Sequence, residues 1–458
     1  MCQAFPFFMH FDLLIIGGGA AGLMAAYSAA HTLAEKGAHL RVAVLEKMPR
    51  PGRKIMITGK GRCNFTNVKD WNAFSGHIRS NPAAVKPAFF NFTPENSLAF
   101  FEHFGMPSVI ERGDRAYPAS YRSSDVVDAL TRACISENVK ILAGAQVSRT
   151  RFGEGSFALS CEDGRSFECS FLIVATGGLS YPATGSTGDG YRFAEAAGHS
   201  LTPLFPSLTA LVPKGYKMLP ENPLSGDLPH HIDRSLPLSG TGRLLCGVSL
   251  KNVGVQLLVE GTSAQTETGE LSFTDGGLEG PVGFGISRKA VKALINGSRV
   301  SVALDLKPAV PAEELTRRIM GLWSSVNSDA RSRTLSEKAK YKIVLSSLLP
   351  RELIPAFAEA HRDFSPAATA GALKEWKFEI GGYVGYERAV VTAGGVDTGE
   401  IVAKTLESKK RKGLYFCGEV LDIDADTGGY NIHLAFATGK LAGESAAKAL
   451  LASAVGAG

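Results

Sequence analysis

The sequence predicts an α/β fold in which a mostly parallel sheet is interrupted by an antiparallel β insertion and a small helical stretch. Three observations predict it. An apolar run near the start of the chain ends in a glycine cluster and leads into an alanine-rich stretch. Two more short apolar runs ending near glycines lie far apart, at residues 171–175 and 414–417. Between these two come segments alternating apolar and polar residues, then residues 311–376 with helical periodicity.

Length and composition bound the reading. A chain of 458 residues suggests two or three structural units. Apolar residues at 45% and charged residues at 20% exclude disorder along the whole chain. Glycine, with 51 residues, exceeds ordinary usage and implies many tight turns and close backbone approaches. The formal charge of +5 favours approach of a polyanion but is far from that of a nucleic-acid tail. Seven scattered cysteines without C-x-x-C spacing imply free thiols in a reducing compartment, with neither a disulfide framework nor a zinc knuckle. The opening MCQAFPFFMHFDLLII lacks a basic start and carries Asp12, so it is not read as a signal peptide. No apolar stretch has the length of a membrane span, and the expectation is a cytoplasmic protein.

The first element has a physical reason for each part. Phe11–Ile16 has the length of a buried parallel strand. It stops at Gly17-Gly18-Gly19-Ala20-Ala21-Gly22, which fits G-x-G-x-x-G. Gly17 allows the sharp turn, Gly19 lets backbone approach a pyrophosphate, and Gly22 lets the following helix lie close to the strand. Arg41–Glu46 is the next strand, and Glu46 stands 24 residues beyond Gly22, near the spacing of an acid that binds ribose hydroxyls. Strand, turn, helix and acid together predict dinucleotide binding.

Residues 47–64 form a basic, glycine-rich loop in which Lys47, Arg53 and Lys54 are candidates to contact a diphosphate or a flavin edge. Phe171–Ala175 runs into Thr176 and Gly177, and Leu414–Cys417 into Gly418 and Glu419. Brought side by side on one parallel sheet, these strand ends outline a ligand crevice. A helix starting near Tyr430 and Asn431 can point its N-terminal N–H groups at a flavin.

The segments IIGGGAAGLMAA, LEKMPRPGRKIMITGKGRCNFTN, IVATGGLSYPATGSTGDGY and GLYFCGEVLDIDADTGGYNIHLAFATGKLAG resemble the BaiN/RdsA-type flavoproteins, the YhiN-like or aminoacetone-oxidase-like NAD(P)/FAD-dependent oxidoreductases. Weaker matches (DRAYPASYRSSDVV, LSFTDGGLEGPVGFGIS, AVVTAGGVDTGEI) follow in the same order, so the resemblance spans most of the chain. It implies noncovalent FAD, a two-dinucleotide-binding-type Rossmann FAD domain and an inserted domain. It also implies that Ala20, Ala21 and Glu46 meet the ADP half and that the Val147 backbone meets adenine. Lys54, Gly61 and Arg62 would line the flavin side, with Glu419, Asn431 and Ile432 closing over the ribityl chain and ring. Three positions depart from the family pattern: Asp275 replaces a histidine, Glu279 a serine and His433 a glutamine.

The insertion reads as a small antiparallel β domain. Leu204–Pro213, Gly247–Glu260 and Glu270–Thr274 are its extended pieces, and Lys214–Gly242 is a lid or a hairpin. His230 and His231 within it are loop residues, not metal ligands. The division by sequence is 1–200 for the first part of the FAD domain, 201–307 plus about 377–400 for the β-barrel-like domain, 308–376 for the helical subdomain and 401–458 for the return of the FAD domain. Lys409–Lys412 reads as a solvated turn; with an RNA substrate, it and Arg50, Arg53 and Lys54 would be phosphate contacts.

FAD would carry the electron chemistry. The chain has no second strand-borne G-x-G-x-x-G, so NADH or NADPH is expected to dock transiently as electron donor. The expected activity is reduction of a carbon–carbon double bond in a small molecule or in RNA; the family includes reducers of unsaturated steroid acids and of uracil in 23S ribosomal RNA. Cys63, Tyr181, Tyr430 and His433 are the candidate acids for the required protonation. The alternatives are an amine or amino-ketone oxidase using oxygen and a non-catalytic flavin-carrying RNA-binding module. No metal site and no membrane partner are expected.

Overall fold

A computed structural model describes residues 8–153, 155–219 and 229–456. They form two compact units. The first holds the residues up to Phe205 together with those from Val390 onward; the second is Pro206–Ala389.

The first unit is built on a seven-stranded sheet. Its parallel core runs in the order Lys140–Ala143, Val42–Glu46, Phe8–Ile16, Ser166–Val174. Leu414–Phe416 adds a further parallel strand beside Leu172–Val174, in the register Leu172↔Leu414. Leu13, Leu14, Ile15 and Ala43–Leu45 have no exposed surface. That two-sided burial is why these strands read as unbroken apolar runs. The central strand starts five residues before the expected Phe171, because Ser166–Cys169 pairs antiparallel with Phe157–Cys161, which in turn pairs with Val147–Phe152. The turn joining Phe157–Cys161 to Ser166–Val174 carries Asp163-Gly164, a strong hairpin dipeptide, yet neither hairpin was expected from sequence.

Two helices lie against the sheet and against each other, Ala20–Glu35 and the return helix Tyr430–Gly456. A Cβ on Gly439 would stand 2.3 Å from the Ala21 carbonyl oxygen, and one on Gly443 2.2 Å from that of Ala25. Spacing of four residues puts each pair on one helix face. The helices therefore touch backbone to backbone, which only side chains of this size permit. The glycine turn is equally close: Gly17 has φ +105°, and a Cβ on Gly22 would meet the Gly17 oxygen at 1.8 Å.

In the second unit six antiparallel strands close a barrel, in the order Leu211–Pro213, Gly277–Glu279, Thr262–Thr274, Ser249–Val259, Val300–Asp305, Trp376–Tyr383. Leu257, Leu271, Leu278, Val302 and Leu304 fill its core with no exposed surface. Helices Ala312–Ser328, Glu337–Ser346, Ile354–Ala360 and Pro366–Lys374 make the helical part. Ser336 and Ser365 cap two of them, accepting from the N–H groups of Ala339 and Ala368. In the Lys214–Gly242 stretch, residues 220–228 lie outside the described residues. Lys217 and Leu238 form an isolated antiparallel bridge, and Ser239 caps a helix over Gly240–Leu245.

The first unit resumes at Val390, ahead of residue 401, because Val391–Val396 pairs with Leu201–Ser207. The basic run after it is a clamp as well as a turn. Lys409 donates to the Gly399 carbonyl, Lys410 pairs with Glu400 at 2.6 Å, and buried His199 bridges Glu400 and Ser408 at 3.1 and 2.6 Å. Burial opposes ionisation of Glu400, but Lys410 and the Ser200 N–H outweigh it and hold the carboxyl at about 2. Among the described residues no helix is long and apolar enough to cross a membrane, and no group of three His, Cys, Asp or Glu residues is placed to hold a metal.

Two outcomes follow. Gly443→Val lowers stability in urea unfolding by about 1–3 kcal/mol through overpacking, whereas Gly285→Ala, in a helix with open space at its Cβ, gains about 0.5–1 kcal/mol. Because the folded pKa of Glu400 is depressed, its stabilisation is present above the ordinary carboxylate range and fades as pH falls towards about 2. Glu400→Gln therefore lowers the thermal midpoint at pH 7 and loses that effect near pH 2.

Candidate functional site

The parallel strands Phe8–Ile16, Val42–Glu46, Ser166–Val174 and Leu414–Phe416 all end at one edge of the sheet, and the predicted site residues of the first unit follow those ends. At the first, a Cβ on Gly19 would meet nothing within 4 Å, so the turn leaves room beside the start of the Ala20–Glu35 helix. Helix geometry leaves the first-turn N–H groups, those of Ala20, Ala21 and Gly22, without intrahelical partners. At the second, Glu46 is 8% exposed. Its Oε2 accepts from the Gly18 N–H and its Oε1 from the Met48 N–H, both at 2.7 Å. Burial pushes this carboxyl up, and the two N–H donors partly offset that. Lys47 turns aside to donate to Thr187 and Asp189, at 2.5 and 2.7 Å. Val147 opens the outermost strand with its side chain buried.

A second cluster joins four segments of the first unit. Lys54 Nζ donates to Glu419 Oε2 at 2.6 Å and to Ser180 Oγ at 2.5 Å. Ser180 Oγ donates to Glu419 Oε1 at 2.7 Å, and the Thr392 N–H reaches the same oxygen at 2.8 Å. Thr176 and Gly177 lead from the central strand towards Ser180, and the Gly418 N–H is held by Thr438 Oγ1 at 3.0 Å. Arg53 is exposed. The loop after it is unusual: Gly59, Lys60, Gly61 and Cys63 all have positive φ. Two non-glycine residues held there store strain, and such strain clusters at ligand clamps. Arg62 leaves this loop to lie over Tyr117 and Tyr121, 4.7 and 4.5 Å from the ring centroids, and to pair with Glu111 at 2.6 Å.

The third cluster sits at the start of the return helix. Asn431 spends its side-chain amide locally, accepting from the Ala425 N–H at 2.9 Å and donating to the Ala425 and Asp426 carbonyls at 2.8 and 3.1 Å. It locks the approach loop, leaving the first backbone N–H groups, Asn431 and Ile432 among them, as the helix's available donors. Asn67 donates to the Gly428 carbonyl at 3.1 Å and Asn64 to that of Thr66 at 2.8 Å, yet the buried Oδ1 atoms of both have no hydrogen-bond partner among the described residues.

The sequence-derived candidate acids fare differently. Cys63 has no exposed surface, and burial pushes its thiol up to about 12. His433 is fully buried among Phe74, Phe89 and Phe92, its Nδ1 2.9 Å from Thr66 Oγ1, and burial pushes its imidazole down to about 3. Both are core residues out of a substrate's reach, a correction to that expectation. Tyr430 is 3% exposed, with burial pushing its phenol up to about 12. Tyr181 holds a left-handed backbone beside Ser180. Sequence reasoning missed Ser180, Thr392, the open oxygens of Asn64 and Asn67, and a cluster of His77, Arg79 and Asp426. Only the asparagines carried a signal, as polar residues inside an otherwise diagnostic GRCNFTN block.

The HI0933-like protein Rossmann domain family matches residues 11–445. The chain belongs to this family. It is one of FAD-dependent oxidoreductases. A 3-dehydro-bile acid delta(4,6)-reductase from Clostridium scindens is 31% identical over 95% of this chain and 98% of that protein. A ribosomal RNA dihydrouridine synthase from Haemophilus influenzae is 31% identical over 93% of this chain and 96% of its own length. The protein of that name from Escherichia coli is 28% identical over 94% and 96%.

Asp275 and Glu279, the two second-unit positions that depart from the pattern the sequence resemblance implies, are both paired. Asp275 meets Arg234 at 2.7 Å, and buried Glu279 accepts from Arg388 at 2.9 and 3.2 Å. Both acids are thus met by arginines. In the same unit His231 stands 3.2 Å from Glu387 and, among the described residues, belongs to no group placed to hold a metal.

Glu419→Ala tests the central network. It leaves the Lys54 ammonium with Ser180 alone and takes the acceptor from the Thr392 N–H, so the thermal midpoint of the cofactor-free chain falls by the equivalent of roughly 1–3 kcal/mol.

Proposed function

We propose that this chain is an FAD-dependent reductase of a carbon–carbon double bond, with NADH or NADPH as electron donor. The observation that carries the reading is the convergence of a glycine turn, a buried acid and a set of open polar atoms at one edge of the sheet. The open space at Gly19, the first-turn donors and Glu46 suit the ADP half. The Val147 backbone, on the outer strand, suits adenine. The unpartnered buried oxygens of Asn64 and Asn67 suit ring N–H groups, which a bare solvated loop would not need. Lys54, Arg53, Gly61, Arg62, Thr176, Gly177, Gly418 and Glu419 would border the flavin side, and the N–H groups of Asn431 and Ile432 would favour negative charge there.

Bound FAD supplies two-electron transfer between the nicotinamide and the alkene. This chain's residues supply the rest. The glycine turn and Glu46 would hold the group, and Ser180 and Glu419 fix the Lys54 ammonium in place. The Asn431 amide holds the return helix at a set distance. The names of the three relatives describe saturation of a carbon–carbon double bond in a bile acid or in ribosomal RNA, which supports the reductase over the oxidase. For the substrate we propose a ring double bond conjugated to a carbonyl, with uridine in 23S ribosomal RNA the RNA candidate.

The test is an absorbance spectrum of the purified protein followed by anaerobic titration with NADH and NADPH. A yellow protein bleached rapidly by a nicotinamide supports the reading. A colourless protein that stays so after incubation with FAD, or one bleached only by an amine with peroxide released on air admission, overturns it. Comparing dihydrouridine in ribosomal RNA with and without the gene then separates the RNA substrate from a small molecule.

A further inference from the structure

We propose that His77 is the proton donor of the alkene reduction, an inference that rests on the function proposed above. The segment carrying it is zipped to the loop that feeds the return helix. The Asp426 N–H donates to the His77 carbonyl at 2.9 Å, the Arg79 N–H donates to the Asp424 carbonyl at 2.8 Å, and Ile78 bridges Ala425. The His77 ring stacks on Tyr430, the first residue of that helix, with centroids 4.3 Å apart and planes 17° from parallel. His77 therefore sits beside the helix start that this reading turns towards the flavin.

Its side chain is oriented as a proton-transferring imidazole needs. Nδ1 lies 3.0 Å from Asp426 Oδ2. Burial opposes ionisation of Asp426, but His77 and Arg79 outweigh it and hold the carboxyl below its ordinary range. The carboxylate fixes the hydrogen on Nδ1 and leaves Nε2 as the atom that takes up and releases a proton. Nε2 has no hydrogen-bond partner among the described residues, and the side chain is 36% exposed against 17% for Asp426. A role as a mere staple does not explain the histidine. Arg79 already grips both oxygens of Asp426, from Nε at 2.6 Å and from its terminal nitrogen, so the loop is tied without an imidazole. Of the acids singled out from sequence, His433, Cys63 and Tyr430 are buried, and Asp114, the other carboxyl whose charge reaches Tyr430, is paired with Lys69 at 2.6 Å.

The step balances. The alkene receives a hydride from reduced FAD on one carbon, and its π electrons move to the neighbouring carbon beside the carbonyl. That carbon takes the proton from His77 Nε2–H, leaving a saturated bond and a neutral imidazole that regains a proton from water. The two electrons come originally from the nicotinamide.

The experiment has an activity arm and a labelling arm. In anaerobic stopped-flow mixing of the FAD-loaded enzyme, His77→Gln is reduced by the nicotinamide within about 2-fold of wild type, while reoxidation by cyclohex-2-enone or by uridine-containing ribosomal RNA slows by roughly 100-fold or more. Added imidazole restores reoxidation in His77→Ala, which a purely structural role would not allow. In the labelling arm, diethyl pyrocarbonate modification of cofactor-free and FAD-loaded protein is read by peptide mass spectrometry. FAD shields His77 several-fold and leaves exposed His39 unchanged. Reoxidation of His77→Gln at the wild-type rate, absence of imidazole rescue, or labelling of His77 indifferent to FAD overturns the assignment. Wild type that reduces no alkene at all overturns the proposed function itself, and is told apart because wild type and variant then fail alike.

Discussion

Everything in the first unit depends on backbone meeting backbone. The Gly17–Gly22 turn folds onto itself, and Gly439 and Gly443 bring the return helix against Ala21 and Ala25 with no side chain between them. At such distances one added methyl group has nowhere to go, since interiors are packed to crystal density. The sequence segments that make this contact are separated by more than four hundred residues, so the packing of two helices is also what assembles the site. The glycine turn and the start of the return helix belong to the two helices that this contact holds together.

Polar clamps then set the details. Lys54 and Glu419, 365 residues apart, close one corner; Asn431 and Asn67 fix another by gripping carbonyls of the loop before the return helix. Each clamp uses a side chain up on structure and leaves backbone N–H groups or a buried oxygen open. Glu46 shows the same economy, since one carboxylate orders the turn through both Gly18 and Met48.

The parallel core was legible in the sequence because burial on both faces produces unbroken apolar runs, and Gly17, Gly19, Gly22 and Glu46 obey a spacing with a steric cause. The barrel was partly legible, since Ser249–Val259 alternates, but Val300–Asp305 and the short Gly277–Glu279 strand are paired by tertiary context that no local pattern records. His433 looked reactive by position, yet it faces the core rather than the crevice, a difference of helix face that the motif alone does not carry. His77 was invisible for the opposite reason: its partner Asp426 is 349 residues away, and neither residue alone is distinctive.

The place of Leu414–Phe416 has a consequence for biosynthesis. At typical ribosomal speeds of 5–20 residues per second, this strand emerges roughly 12–50 s after Ser166–Val174, beside which it finally lies. Until then Leu172, Ile173 and Val174 present an apolar, unpaired flank of the kind that recruits strands from other chains. The nascent polypeptide thus carries an apolar, unpaired strand flank for about half of its own translation, an interval in which pairing with another chain competes with completion of the sheet.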